Sequence, residues 1–186
     1  MKQAFIKLHI SILLAGFTGL FGKLISLNEG LLVCYRMLFA ALLLLLILWC
    51  SGKLKAVSFR EFLKIGGTGF LLGLHWVFFY GSIKASNVSI GVVCFSLIGF
   101  FTAILEPLFF RRKIVVGELL ISLITVLGII LIFQFDTRYR TGIVLGVIST
   151  ALAALFTITN KRAGVRHSSS TMLLYEMIGG FTGLVC

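Results

Sequence analysis

Four side chains that can carry charge stand in stretches that otherwise avoid it: Arg36 in "YRMLFAALLL", His75 in "LHWVFFYGS", Glu106 in "TAILEPLFFRRK" and Glu176 in "LLYEMIGG". A carboxylate or imidazole among apolar residues can take up and release a proton, and a guanidinium can hold an anion; each is expensive to keep in hydrocarbon without such a task or a partner. Glu106 is followed by Pro107, the chain's one proline. A helix running through Pro107 loses the hydrogen bond to the carbonyl of Ala103 and can bend there. Two readings of Glu106 stay open: an interfacial carboxylate satisfied by water or Arg111, and a coupling or gating group acting with Pro107.

Arg36 also has two readings. Its head can snorkel to the interface, or it can meet an internal partner or an anionic ligand. Helical spacing sets His75, Phe79 and Ser82 on one face and Gly69, Gly73, Trp76 and Tyr80 on another. His75, Trp76, Phe79 and Tyr80 are therefore candidates to line a cavity, with packing as the alternative. Ser96 and Phe100 share a face of the next apolar segment and are further candidates for that wall, with ordinary helix contact as the favoured alternative. Gly69 and Gly73, four apart, suit a close helix–helix approach.

The elements that must position these residues follow from composition. The chain of 186 residues is 59% hydrophobic and 12% charged, against about 45–50% and about 25% in an ordinary soluble domain. Seven apolar segments appear: His9 to Leu27, Leu31 to Cys50, Ile65 to Ile83, Val88 to Phe110, Ile114 to Phe135, Ile143 to Asn160 and Thr171 to Cys186. Most approach the roughly 20 residues that cross about 30 Å of hydrocarbon. The expected class is an all-α, polytopic transmembrane helix bundle. The first segment follows a basic start, as a signal peptide would, but no A-x-A site follows and a retained helix is expected.

The formal net charge is +11, yet the cations sit in short loops instead of forming a stripe with aromatics, so no nucleic-acid partner is expected. Their distribution reads as topology. With the amino terminus inside, twelve Lys and Arg residues, from Lys2 to Arg166 and including Arg111, Arg112, Lys113 and Lys161, fall on the inner side. Lys23, Lys84, Arg138 and Arg140 fall on the outer one. The excess of cations on cytoplasmic loops then predicts a multi-pass protein of the cell membrane with a cytoplasmic amino terminus. Lys23 and Lys161 are expected to snorkel to opposite surfaces.

A short internal likeness joins Phe21 to Ala40 with Thr159 to Gly180, matching Lys23 to Lys161, Tyr35 to Tyr175 and Arg36 to Glu176. Five segments separate the copies, so the second would enter the membrane inverted. Transporters commonly use this construction, with a site near the midplane and alternating access by one half rocking against the other. Residues 1–138 are read as a first five-helix repeat and 139–186 as the start of a second, which makes a longer protein of roughly ten spans the expectation. No direct Arg36–Glu176 salt bridge is expected, because inversion puts the two in opposite halves of the membrane.

The segments "YRMLFAALLL" (Tyr35 to Leu44), "LHWVFFYGSIKASNVSIGVV" (Leu74 to Val93) and "TAILEPLFFRRK" (Thr102 to Lys113) together resemble EamA-type permeases of the drug/metabolite transporter superfamily. The resemblance implies ten helices in two inverted five-helix repeats (5+5), a central cavity, and movement of small organic metabolites or drugs. "FSLIGFFTA" (Phe95 to Ala103) departs from it in lacking a proline that many relatives carry there.

No G-x-S-x-G, HEXXH or phosphate loop occurs, and His9, His75 and His167 are far apart, so no enzyme activity is expected. Cys34, Cys50, Cys94 and Cys186 show no C-x-x-C spacing, and neither cofactor nor metal is expected. The leading expectation is a secondary transporter in the lipid bilayer carrying a small solute. A proton is a candidate coupling ion, through Glu106 or His75, and a homodimer is a candidate assembly. The rivals are a membrane-embedded lipid-processing enzyme and a structural subunit that carries no solute.

Overall fold

A computed structural model describes residues 2–133, 137–164 and 167–186. Among the described residues eight α-helices run in order: α1 Lys2–Leu24, α2 Glu29–Cys50, α3 Phe59–Ala85, α4 Val88–Phe95, α5 Ile98–Phe110, α6 Val116–Phe133, α7 Arg140–Ala163 and α8 Ser169–Val185. All seven expected segments form helices, the fourth as the pair α4 and α5. The expected end of the fifth segment at Phe135 and the cation Arg166 lie outside the described residues, as does the side chain of Lys2.

Polar residues between the apolar runs start the helices. Asn28 accepts a hydrogen bond from the Gly30 N–H, and Asn87 accepts one from the Ile90 N–H at 2.9 Å. Ser58 and Glu61 form a reciprocal capping box on α3, and Ser168 caps α8 through the Thr171 N–H. Each cap satisfies a donor that has no partner inside its own helix, and typically contributes about 1 kcal/mol. The fourth segment breaks at Ser96 and Leu97, whose N–H groups turn back to the carbonyls of Val93 and Cys94 at 3.1 Å. The break thus falls ahead of Pro107, which lies inside α5. Arg111 ends α5 in the left-handed region, at φ 51°.

Among the described residues five helices are long and apolar enough to cross a membrane when Val88–Phe110 counts as one, and Val116–Ile132 forms a shorter apolar helix. Large apolar side chains face outward along the bundle, among them Trp49, Leu108 and Ile121. In water such a surface would be untenable; against lipid it costs nothing. The protein is a multi-pass membrane protein.

α3 is the central element, packing chiefly on α7 and α8, while α6 packs chiefly on α5. Glycines permit the closest approaches. Gly66 faces Gly179, and any side chain at Gly69 would run into the Glu176 backbone. Gly22 lies against the ring of Tyr80 and brings α1 onto α3. One buried cluster, including Val33, Met37, Phe79, Tyr80, Ile83 and Met177, joins α2, α3 and α8.

Contacts between helix ends show the alternation of direction. At one end Lys84 pairs with Glu29 at 3.7 Å and also donates to the Leu27 carbonyl, and Ser82 donates to the Gly142 carbonyl at 2.6 Å. At the other, Lys161 pairs with Glu106, His167 lies 3.4 Å from Glu61, and the Tyr175 hydroxyl donates to the Lys55 carbonyl at 3.0 Å.

Candidate functional site

The long α3 carries both candidate faces, as its helical spacing requires. His75 is 4% exposed and points at α7. Its Nδ1 lies 2.9 Å from both the carbonyl and the hydroxyl of Ser149, and that hydroxyl donates to the His75 carbonyl at 3.0 Å. The next residue, Thr150, is within hydrogen-bond distance of the Cys94 carbonyl on α4 at 3.0 Å and of its own Gly146 carbonyl at 2.8 Å. A short polar seam thereby ties α3, α4 and α7 within an apolar bundle, where an unmatched polar group would be costly.

Aromatic rings enclose the imidazole: Trp76, Phe79 and Phe95 have centroids 5.2, 6.0 and 5.5 Å from it. His75 and Phe79 are accordingly packed between helices. Phe95, one residue before Ser96, is the fourth-segment residue that meets His75. Ser96 itself is exposed at the end of α4, its hydroxyl donating to the Val93 carbonyl at 2.6 Å. The break at Ser96 and Leu97 separates the two halves of that segment, so Phe100 belongs elsewhere and lines a cavity between α5 and α6.

The second face of α3 meets α8 at Gly69 and Gly73, and α2 at Trp76 and Tyr80. Arg36 donates through Nη1 to the Tyr80 hydroxyl at 2.7 Å, and its guanidinium carbon sits 3.7 Å from the centre of the Trp76 ring. Trp76 stacks in turn on Tyr80, with centroids 5.6 Å apart. A cation over an indole face is attracted by the ring quadrupole, by about 0.5–2 kcal/mol depending on desolvation. Of the two sequence readings, the internal partners are present.

Glu106 does not use Arg111. Its Oε1 meets Lys161 on α7 at 2.6 Å. The left-handed Arg111 ends the helix, while α7 packs along α5 and delivers Lys161 to the same end. Lys161, expected only to snorkel, thus has a definite partner. Glu106 and Pro107 line the α5–α6 cavity, of about 710 Å³. A second cavity of about 570 Å³ opens at the same end of the bundle, lined by Glu61, Lys64, Thr68, Thr159, Arg162 and His167.

Glu176 is buried on α8, with Oε1 lacking a hydrogen-bond partner among the described residues. Arg36 and Glu176 form no ion pair with one another among those residues. Sequence reasoning overlooked Ser149 and Thr150. The signal it could have used is a Ser-Thr pair in the middle of an apolar segment, where each hydroxyl must find an acceptor. Among the described residues no three His, Cys, Asp or Glu side chains are grouped to hold a metal ion.

Residues 4–134 match the EamA-like transporter family. The chain is also 31% identical over 159 residues to the "Uncharacterized transporter YxxF" of Bacillus subtilis (strain 168). That alignment takes in 83% of this chain and 51% of the relative, so the chain spans about half the length of the curated relative it matches. No solved structure matches it. Apolar helices facing lipid, a few paired polar groups between them, and a family match across most of the sequence agree, and this chain belongs to the EamA-like transporter family.

Proposed function

We propose that the protein acts in secondary transport, moving small organic solutes across the cell membrane by alternating access. The observation that carries this reading is the difference between the two ends of the bundle. One end holds the cavity of about 570 Å³ with the charged rim Glu61, Lys64, Arg162 and His167. At the other, Lys84–Glu29 and Ser82–Gly142 draw α3 against α2 and α7. The cavity at that end, lined by Asn87, Tyr139 and Ile143, is smaller, about 220 Å³, and a wide opening at one face opposed by tighter contact at the other is what an alternating-access protein requires.

In this reading the open end is cytoplasmic, as the distribution of Lys and Arg implies, and the amino terminus lies on that side. Residues 1–138 form one five-helix repeat and 139–186 begin its inverted counterpart. Arg36, Trp76 and Tyr80 contact the solute, whereas His75, Phe79 and Ser96 shape the helices around it. Glu106 gates: its bond to Lys161 fastens α5 to α7 beside both cavities, and Pro107 lets the end of α5 yield. Release of that pair by a proton on Glu106 would couple transport to pH.

The test is uptake by the purified full chain in proteoliposomes, using a panel of labelled organic anions, cations and neutral metabolites. Saturable uptake that depends on the protein is expected for at least one class. A cysteine at Trp76, in a background without native cysteines, is expected to be protected from a small thiol reagent by that solute. Passive leak alone across the whole panel would overturn the reading.

A further inference from the structure

Building on the transport reading, we propose that Arg36 recognises an anionic oxygen group, a carboxylate or phosphate, on the solute, with Tyr80 and Trp76 holding its guanidinium ready. A guanidinium has five N–H donors in a planar fork. Tyr80 engages one nitrogen, at 2.7 Å, and Trp76 covers a face at 3.7 Å. Neither contact supplies negative charge, and neither closes the edge of the fork. Paired donors along that edge match a carboxylate or phosphate in bidentate fashion.

Three of the protein's carboxylates are engaged elsewhere: Glu29 meets Lys84, Glu61 meets His167 and Glu106 meets Lys161. Glu176, buried on α8 with Oε1 lacking a partner among the described residues, forms no ion pair with Arg36 among them. Arg36 is itself exposed, yet its head is not free. It is fastened to Tyr80, which is only 3% exposed and packed against Gly22 of α1. Arg36 stands seven residues into α2 from Glu29, about 10 Å along the helix at 1.5 Å per residue. A cation fastened at that depth with its counter-charge missing fits a ligand that brings the charge with it.

A phospholipid headgroup carries the same chemistry, but its phosphate belongs at the level of the helix ends, where Lys84 and Glu29 already pair. The site therefore points to a solute.

The chain has two tryptophans, so a Trp49→Phe variant leaves Trp76, directly beneath Arg36, as the sole indole reporter. Its emission would be titrated with 3-phenylpropionate, 3-phenylpropanol and 3-phenylpropylamine, which share a ring and differ in charge. Maltoside micelles and phosphatidylcholine nanodiscs would be used in parallel. A saturable response to the carboxylate alone is expected in both. Arg36→Gln should weaken it at least about tenfold, the worth of a charge-assisted hydrogen bond or two. Tyr80→Phe, which keeps the charge and the packing, should weaken it by a smaller factor with the thermal midpoint little changed.

No response to the carboxylate up to its solubility, an equal response to the alcohol, or an unchanged affinity in Arg36→Gln would overturn the proposal. A response in micelles that nanodiscs abolish would assign the site to a headgroup phosphate and overturn the solute. Proteoliposome uptake separates this inference from the transport reading. Uptake of the alcohol or amine with no preference for the acid leaves transport standing and removes the anion site. A Trp76 response without uptake of any solute keeps the anion site and removes transport.

Discussion

The contact of α3 with α8 and that of α5 with α7 hold the same bundle together by opposite means. The first brings backbones together, with Gly66 facing Gly179 and Gly69 against Glu176. The second includes an ion pair at the end of the helices, Lys161 with Glu106, whose side chains are 61% and 29% exposed. Close backbone packing is specific in shape and has no second arrangement of similar energy. A water-accessible ion pair is weak and can exchange partners. In the proposed transport cycle, α3 and α8 form the rigid body and α5 the part that moves against it.

The largest test of that contrast is Gly69→Val. Its side chain would run into the Glu176 backbone, and overpacking of that kind costs about 3 kcal/mol. For a chain of this size the thermal midpoint should fall by roughly 6–12 °C, read by fluorescence-detected unfolding in detergent. An unchanged midpoint would mean that α3 and α8 can slide apart, and the rigid body would be lost.

Ser149→Ala should have an intermediate effect. It removes the hydroxyl that bridges to His75 while leaving the Ser149 carbonyl as an acceptor for the imidazole. Interhelical hydrogen bonds in membranes average about 0.6 kcal/mol and reach about 1.7, so a loss near 1 kcal/mol is expected. If the variant were as damaged as Gly69→Val, the polar seam would hold the bundle as firmly as the glycine contact, and the ranking would fail.

Glu106→Gln should be the mildest for stability, below about 1 kcal/mol, because the pair is partly exposed. Its consequence belongs to transport instead. Uptake should slow or lose its pH dependence, and the exchange Glu106→Lys with Lys161→Glu should restore the rate by re-forming the pair. A charge exchange that folds normally but stays inactive would reduce the pair to a fastening at the helix ends.

The helices themselves were legible in the residues. Asn28, Ser58, Asn87 and Ser168 stand at the starts of apolar runs, and local caps and hydropathy work over a few neighbours. The two faces of α3 were legible for the same reason, since 3.6 residues per turn sets which side chains travel together. The break at Ser96 was not. No proline marks it, and the sequence pointed instead to Pro107, which lies within α5.

Sequence by itself determined the class of molecule, the seven apolar segments that become helical and the isolated charges that needed a purpose, because burial in lipid is settled residue by residue through transfer free energy. Tertiary structure alone decided how each charge was answered. Lys161 lies 55 positions from Glu106, Ser149 lies 74 from His75, and Tyr80 lies 44 from Arg36. Hydrogen bonds and ion pairs act over a few ångströms, and which side chains come that close depends on how the helices pack, which glycine contacts such as Gly69 against Glu176 help to set.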